Sequence, residues 1–162
     1  MTAPANWIGA TDAPLDRPTM VFDLDGVISD ASHRQRFLRD DRWDFDGFFA
    51  ACVDDTVIPA GAALAAAIAA DHTVVILTAR PDSIRMQTID WLAANGIRHD
   101  LLILRPPADD RSSADFKYDE LAALRRAGCD IRGVLEDSPS NLAMLTAEGY
   151  PALPVASGYY EI

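Results

Sequence analysis

The segment Val21-Phe22-Asp23-Leu24-Asp25-Gly26-Val27 admits few folds. Its apolar half reads as a buried strand, and its C-terminal end delivers two carboxylates to whatever lies beyond. Period-two alternation places Asp23 and Asp25 on one side of an extended chain. Two like charges that close call for a divalent cation or a shared proton. Gly26 lets the backbone turn away where a side chain would be awkward. In an open α/β sheet, ligands bind beyond the carboxyl ends of the strands, so a site is expected there. An acidic loop after a strand is the competing reading of these residues alone.

Three further segments supply polar groups in the same manner. Val74-Val75-Ile76-Leu77-Thr78-Ala79-Arg80 is an apolar run ending in a hydroxyl and a guanidinium. Lys117, the only lysine in the chain, follows within Ala114-Asp115-Phe116-Lys117-Tyr118. Gly133-Val134-Leu135-Glu136-Asp137-Ser138-Pro139-Ser140-Asn141 is an apolar run ending in two adjacent acids. Each has an ordinary explanation when taken alone. Thr78 can cap a turn, Lys117 can be a solvated helix lysine, and Asp137 with Ser138-Pro139 can start a helix. Asn141 fits a helix surface equally well. Acids converging from separate strand ends, however, repel unless a cation joins them.

Strands are expected over 19–23, 73–78, 101–104, 131–135 and 152–155. Helices are expected over 59–70, from Pro81 to Asn95, and over 114–127 and 138–148. The alanine-rich stretch 61–70 belongs in a helix because alanine is the best helix former. This alternation predicts an α/β fold with a parallel sheet, helices on both faces and right-handed crossovers. Residues 29–58 are a polar and aromatic insert with helical pieces near 32–39 and 45–52. Residues 1–18 read as a loosely ordered arm with Trp7 and Ile8 packed on the body. A length of 162 residues suits one domain, 19–162, that includes the insert.

The formal net charge of -11 argues against broad nucleic-acid binding, which needs a basic face. It leaves room for a nucleic-acid end entering a locally basic cleft. Cys52 and Cys129 fit no metal spacing and read as buried thiols in a reducing, cytoplasmic compartment. The first eighteen residues contain no apolar h-region, so neither a signal peptide nor a membrane span is expected. The sequence leaves the oligomeric state open.

In the order acids, hydroxyl, lysine, acids, the chain resembles the haloacid-dehalogenase-like (HAD) phosphohydrolases, from about residue 19 to residue 155. The resemblance implies a Rossmann-like sheet of strand order 3-2-1-4-5, with the first strand central and the insert forming a small helical cap. A cap of about thirty residues leaves the site open to large substrates, polymer ends included. Asp23 would then be the nucleophile that forms an aspartyl-phosphate. Asp25 would be the general acid for the leaving group and afterwards the base for water. HAD dehalogenases typically lack that second acid, so Asp25 favours phosphoryl transfer. Thr78 would donate its hydroxyl to the phosphate, and Lys117 would neutralise phosphate and nucleophile as a point charge. Mg2+ would be held by Asp23, the Asp25 backbone carbonyl and Asp137, supported by Glu136 and Asn141.

A narrower resemblance rests on Ile76-Leu77-Thr78-Ala79-Arg80, the helix with Arg85 and Trp91, residues 111–117 and Val155-Ala156-Ser157-Gly158. These look like the 3′-phosphatase domain of phage polynucleotide kinases, which carries two aspartates where this chain has Glu136-Asp137. That likeness implies a phosphorylated substrate, a nucleic-acid 3′ end, with Arg80 and Arg111 helping to hold its phosphate. No GxxxxGK[ST] sequence is present, so a kinase activity would come from a separate protein. His33, Arg34 and Arg36 read either as an exposed helix face or as a grip in which Arg34 and Arg36 hold a second phosphate or a nucleotide backbone. Trp43, Phe45, Phe48 and Phe49 read mostly as cap core, with one ring free to stack on a base. The alternatives are a phosphatase acting on mononucleotides or other small molecules, such as a sugar phosphate, and a non-catalytic module that binds a phosphorylated ligand.

Overall fold

Each apolar run of the sequence becomes a strand of one sheet. A computed structural model describes residues 4–9, 13–39 and 43–160. The chain begins with β1 (Trp7–Ile8) and β2 (Pro18–Phe22). The insert follows, with β3 (Ser29–Asp30), a 3₁₀ helix (Ser32–Leu38), α1 (Phe45–Ala50), a 3₁₀ turn (Ala51–Asp54) and β4 (Thr56–Val57). Strands and helices then alternate: α2 (Pro59–Ile68), β5 (Thr73–Pro81), α3 (Arg85–Ala94), β6 (Leu101–Arg105), α4 (Ser113–Arg126), β7 (Asp130–Glu136), α5 (Pro139–Ala147) and β8 (Ala152–Pro154).

The sheet runs in the order β1-β6-β5-β2-β7-β8. Its five parallel strands keep the expected 3-2-1-4-5 order, with β2 at the centre between β5 and β7. The sheet extends one strand further than expected, because Trp7 and Ile8 pair antiparallel with Ile103 and Leu102 of β6. Partners, rather than local pattern, fix this edge. Trp7 is buried, its Nε1 donates to Glu120 Oε2 at 2.6 Å, and Asn6 Nδ2 donates to the Leu104 carbonyl at 3.0 Å. A two-residue strand carries no periodicity that a sequence reading can find. Strand β5 also outruns its expected end, since Pro81 pairs with Arg105, and a 3₁₀ turn at Asp82–Ile84 precedes α3.

Alternation along the strands divides the core in two. Val21, Val75, Leu77, Leu101, Ile103 and Val134 pack with Phe116, Leu121 and Leu124 of α4 and Leu145 of α5. The intervening residues Phe22, Val74, Ile76, Leu102, Leu104 and Leu135 pack with Ala65 of α2 and Trp91 and Leu92 of α3. Helices therefore cover both faces, and only strand ends are left to carry polar groups. The insert is closed by an antiparallel ribbon in which Ser29 opposes Val57 and Asp30 opposes Thr56. Among the described residues no helix is long and apolar enough to cross a membrane.

Candidate active site

Three parallel strands end at one place. Asp23 follows the last residue of β2, Thr78 and Arg80 lie near the end of β5, and Glu136 ends β7 with Asp137 next in the chain. Lys117 reaches the same point from the second turn of α4, whose N-cap Ser112 accepts from the Asp115 backbone N–H at 3.0 Å.

Lys117 is 3% exposed, so it is not a solvated helix lysine. Its Nζ lies 2.8 Å from Asp23 Oδ2 and 2.7 Å from Glu136 Oε2. Burial disfavours the ammonium, but Asp23 and Glu136 outweigh it and hold the lysine above its ordinary value. Burial would raise Glu136 too, yet Lys117 holds it below the usual carboxylate range. Burial, and then the Glu136 charge, push Asp23 well above that range despite Lys117. Asp137 is pushed up to about 6 by burial, with Glu136 adding to the shift. The three acids are short of positive charge.

Oxygens of Asp23, Glu136 and Asp137 lie within 4.8 Å of one another. Both Glu136 oxygens are engaged, Oε2 by Lys117 and Oε1 by the backbone N–H groups of Asp137 and Ser138 at 3.1 and 3.0 Å. Asp137 Oδ2 is buried and has no hydrogen-bond partner among the described residues. An orphaned carboxylate oxygen among hard oxygen donors fits a magnesium ion. Gly26 makes room for this arrangement. Its φ is +85°, and a Cβ there would stand 2.1 Å from Asp137 Oδ2.

Asp25 occupies a different environment. Arg80 donates to its Oδ1 through Nη2 at 2.6 Å, and Arg34 Nη2 reaches the same oxygen at 2.5 Å. Burial would raise Asp25, but Arg80 and then Arg34 bring it below the usual range, so it rests as a carboxylate.

A cleft of about 710 Å³ joins these groups. Of the residues expected from sequence, Asp23, Asp25, Thr78, Lys117, Asp137, Arg80, Arg111 and Asn141 line it. Thr78 is buried, and its Oγ1 accepts from the Arg80 backbone N–H at 3.2 Å. That bond leaves the hydroxyl proton free to be donated into the cleft. Asn141 is 2% exposed and therefore not on a helix surface; its Nδ2 donates to Ser113 Oγ at 3.2 Å. Arg111 is exposed at the rim and paired with Asp109 and Asp119 at 2.7 and 2.5 Å.

Arg34, Arg36 and Glu136 are not part of the cleft lining. The 3₁₀ helix turns Arg34 wholly inward behind Asp25 and leaves Arg36 exposed over the Phe37 ring. The basic cluster is thus split between two environments. Trp43 and Phe45 are exposed, and their rings form a series with Phe49 at centroid separations of 5.7 and 6.5 Å along one wall. Phe48 is the buried member.

Tyr159 and Tyr160 also line the cleft. The Tyr159 hydroxyl accepts from the Ala31 backbone N–H at 2.5 Å and donates to Asp30 Oδ1 at 3.0 Å, pinning the segment after β8 to the insert. The sequence singled out Val155-Ala156-Ser157-Gly158 but stopped one residue short of these rings.

No protein-family profile and no curated protein sequence matches this chain. Solved structures do. A chain of the Pnkp1/Rnl/Hen1 RNA repair complex is 22% identical, with a TM-score of 0.73 over 89% of this chain and 44% of that one. This chain thus spans less than half the length of that one. The class C acid phosphatase of Bacillus anthracis with tungstate bound is 15% identical, with a TM-score of 0.64 over 89% of this chain and 68% of the other. A haloacid dehalogenase-like family hydrolase from Streptococcus pneumoniae is 14% identical, with a TM-score of 0.60 over 85% and 84% of the two chains. The fold is that of the HAD-like hydrolases. Within that fold class, the chain is similar to a component of an RNA repair complex.

Proposed function

We propose that this chain is a magnesium-dependent phosphomonoesterase that acts on polynucleotide 3′-phosphate ends. The observation that carries the reading is Asp23 at the end of the central strand, held by buried Lys117 beside the orphaned oxygen of Asp137. A non-catalytic module has no use for a buried nucleophile, its lysine and a second acid in one cleft.

Asp23 attacks phosphorus, a bond forms to its carboxylate oxygen, and the ester bond to the leaving oxygen breaks. Asp25, once protonated, gives that oxygen its proton. Its resting carboxylate is the form needed afterwards, to take a proton from the water that hydrolyses the aspartyl-phosphate. Lys117 and Thr78 hold the phosphate oxygens in line. Magnesium would be held by Asp23, Asp137 and the Asp25 carbonyl, with Glu136 fixing Lys117 behind them. When bound, the ion neutralises charge on the phosphoryl group.

The 3′-end assignment rests on the likeness to the RNA repair complex and on the open wall of rings, which suits stacked bases. A separate kinase would then complete end healing. A mononucleotide is the second reading, because a cleft of about 710 Å³ is of small-ligand size. Phosphate release with magnesium should be measured from an oligonucleotide 3′-phosphate, its 5′-phosphate isomer, mononucleotides, a sugar phosphate and an aryl phosphate. Preference for the 3′ end is expected, and preference for mononucleotides would replace it with a nucleotidase. Asp23→Asn should lose turnover while keeping its fold, and unchanged turnover would refute the mechanism.

A further inference from the structure

The carboxylate of Asp55 is wholly buried at the far end of the insert, away from the cleft lining, and gathers five polar contacts. Its Oδ1 accepts from Arg34 Nε and pairs with His33 Nε2, both at 2.8 Å. Its Oδ2 accepts from Ser29 Oγ at 2.5 Å, Arg34 Nη2 at 2.7 Å and Arg80 Nη2 at 2.8 Å. The same Nη2 atoms of Arg34 and Arg80 both reach Asp25 Oδ1. Each arginine is therefore strung between Asp55 behind and Asp25 in front. Asp55 also shares with Asp25 the counter-charge that two buried guanidiniums need in any case. Its backbone is fixed as well, since Trp91 Nε1 donates to its carbonyl at 2.8 Å.

We propose that Asp55 is the positioning residue for proton transfer by Asp25. It never touches substrate. It holds Arg34 from the insert and Arg80 from β5 in one geometry, and that geometry points the Asp25 carboxyl at the leaving oxygen. The proposal rests on the phosphatase reading. Losing Asp55 should therefore harm only those steps in which Asp25 handles a proton.

Leaving groups make the distinction. p-Nitrophenolate departs without a proton, whereas a simple alkoxide needs one. kcat/KM for p-nitrophenyl phosphate and for an alkyl phosphate reports the steps up to leaving-group loss. Asp55→Asn keeps the size of the side chain and removes its charge. It should lower kcat/KM on the alkyl ester about a hundredfold, the scale of a displaced catalytic group, and on the aryl ester less than about fivefold. Ser29→Ala removes the hydroxyl that donates to Asp55 Oδ2 and accepts from Arg80 Nη2 at 3.0 Å, so it loosens the Asp55–Arg80 pair without changing any charge, and should shift the same ratio in the same direction by about tenfold or less. It decides the matter if Asp55→Asn does not fold, as judged by thermal melting. Equal losses on both esters, or no loss on either, would overturn the proposal and leave Asp55 a structural anchor. A wild-type protein inert towards both esters would instead overturn the phosphatase reading beneath it.

Discussion

Replacing the only lysine with methionine is the most informative perturbation of this site. Lys117→Met keeps the apolar stem of the side chain but removes the one ammonium between Asp23 and Glu136. Removing one partner from a buried ion pair costs about 3–5 kcal/mol. Two carboxylates lose the same cation here, so the upper part of that range, about 4–5 kcal/mol, is expected. At about 2–4 °C per kcal/mol for a domain of this size, Tm should fall by about 8–20 °C. The loss should also depend on pH. Without the lysine, burial and mutual repulsion raise Asp23 further above its unfolded value and release Glu136 from the hold that keeps it below its own. The folded variant then binds more protons than the unfolded chain, and its stability falls as pH rises. The lysine itself is charged in both states across this window and adds no slope. Melting both proteins in a chelator at pH 5 and pH 8 should show the larger gap at pH 8, with magnesium narrowing it. Melting temperatures within 2 °C of each other at pH 8 would refute the idea that Lys117 neutralises this cluster.

Asp137, pushed up to about 6, must shed a proton before it can ligate a cation. Asp23, held above the usual carboxylate range, must do the same, so apparent magnesium affinity should rise by at least about tenfold per pH unit below that value, as read by titration calorimetry at pH 5 and pH 7.5. An affinity independent of pH would remove Asp137 from the metal set. Gly26→Ala should weaken magnesium binding and destabilise the fold by about 1–3 kcal/mol, because its Cβ would stand 2.1 Å from Asp137 Oδ2. Unaltered magnesium binding in that variant would count against the close approach.

The sheet was legible because Val74–Leu77 and Val134–Leu135 are apolar runs buried on both sides, and such runs declare themselves without a partner. Asp23, Thr78 and Asp137 stood out as candidates because each closes an apolar run, whereas Lys117 lies in the second turn of α4 and only the order of the segments singled it out. β1 was not, since its two residues become a strand only when β6 offers an edge. Arg34 and Arg36 are two apart in a positive run, and sequence gives no means of telling that one faces inward and the other outward. Asp55 sits in Asp54-Asp55, which reads as a solvated turn until four separate segments converge on it. Long-range partners decide such positions, and local pattern carries no record of them.

The central place of β2 has a consequence for how the protein is made. β2 is synthesised first among the parallel strands, yet its partners begin only at Thr73 and Asp130. A ribosome needs roughly 3–10 s to travel from the end of β5 to the start of β7. Throughout that interval the nascent chain carries β2 with one flank bare, and a bare apolar strand is a template for pairing with another chain. Parallel pairings between strands so distant in sequence also form slowly. The same insertion of β7 that covers this flank brings Glu136 and Asp137 to Asp23. The bare flank of the central strand is therefore covered by the same event that completes the acidic cluster.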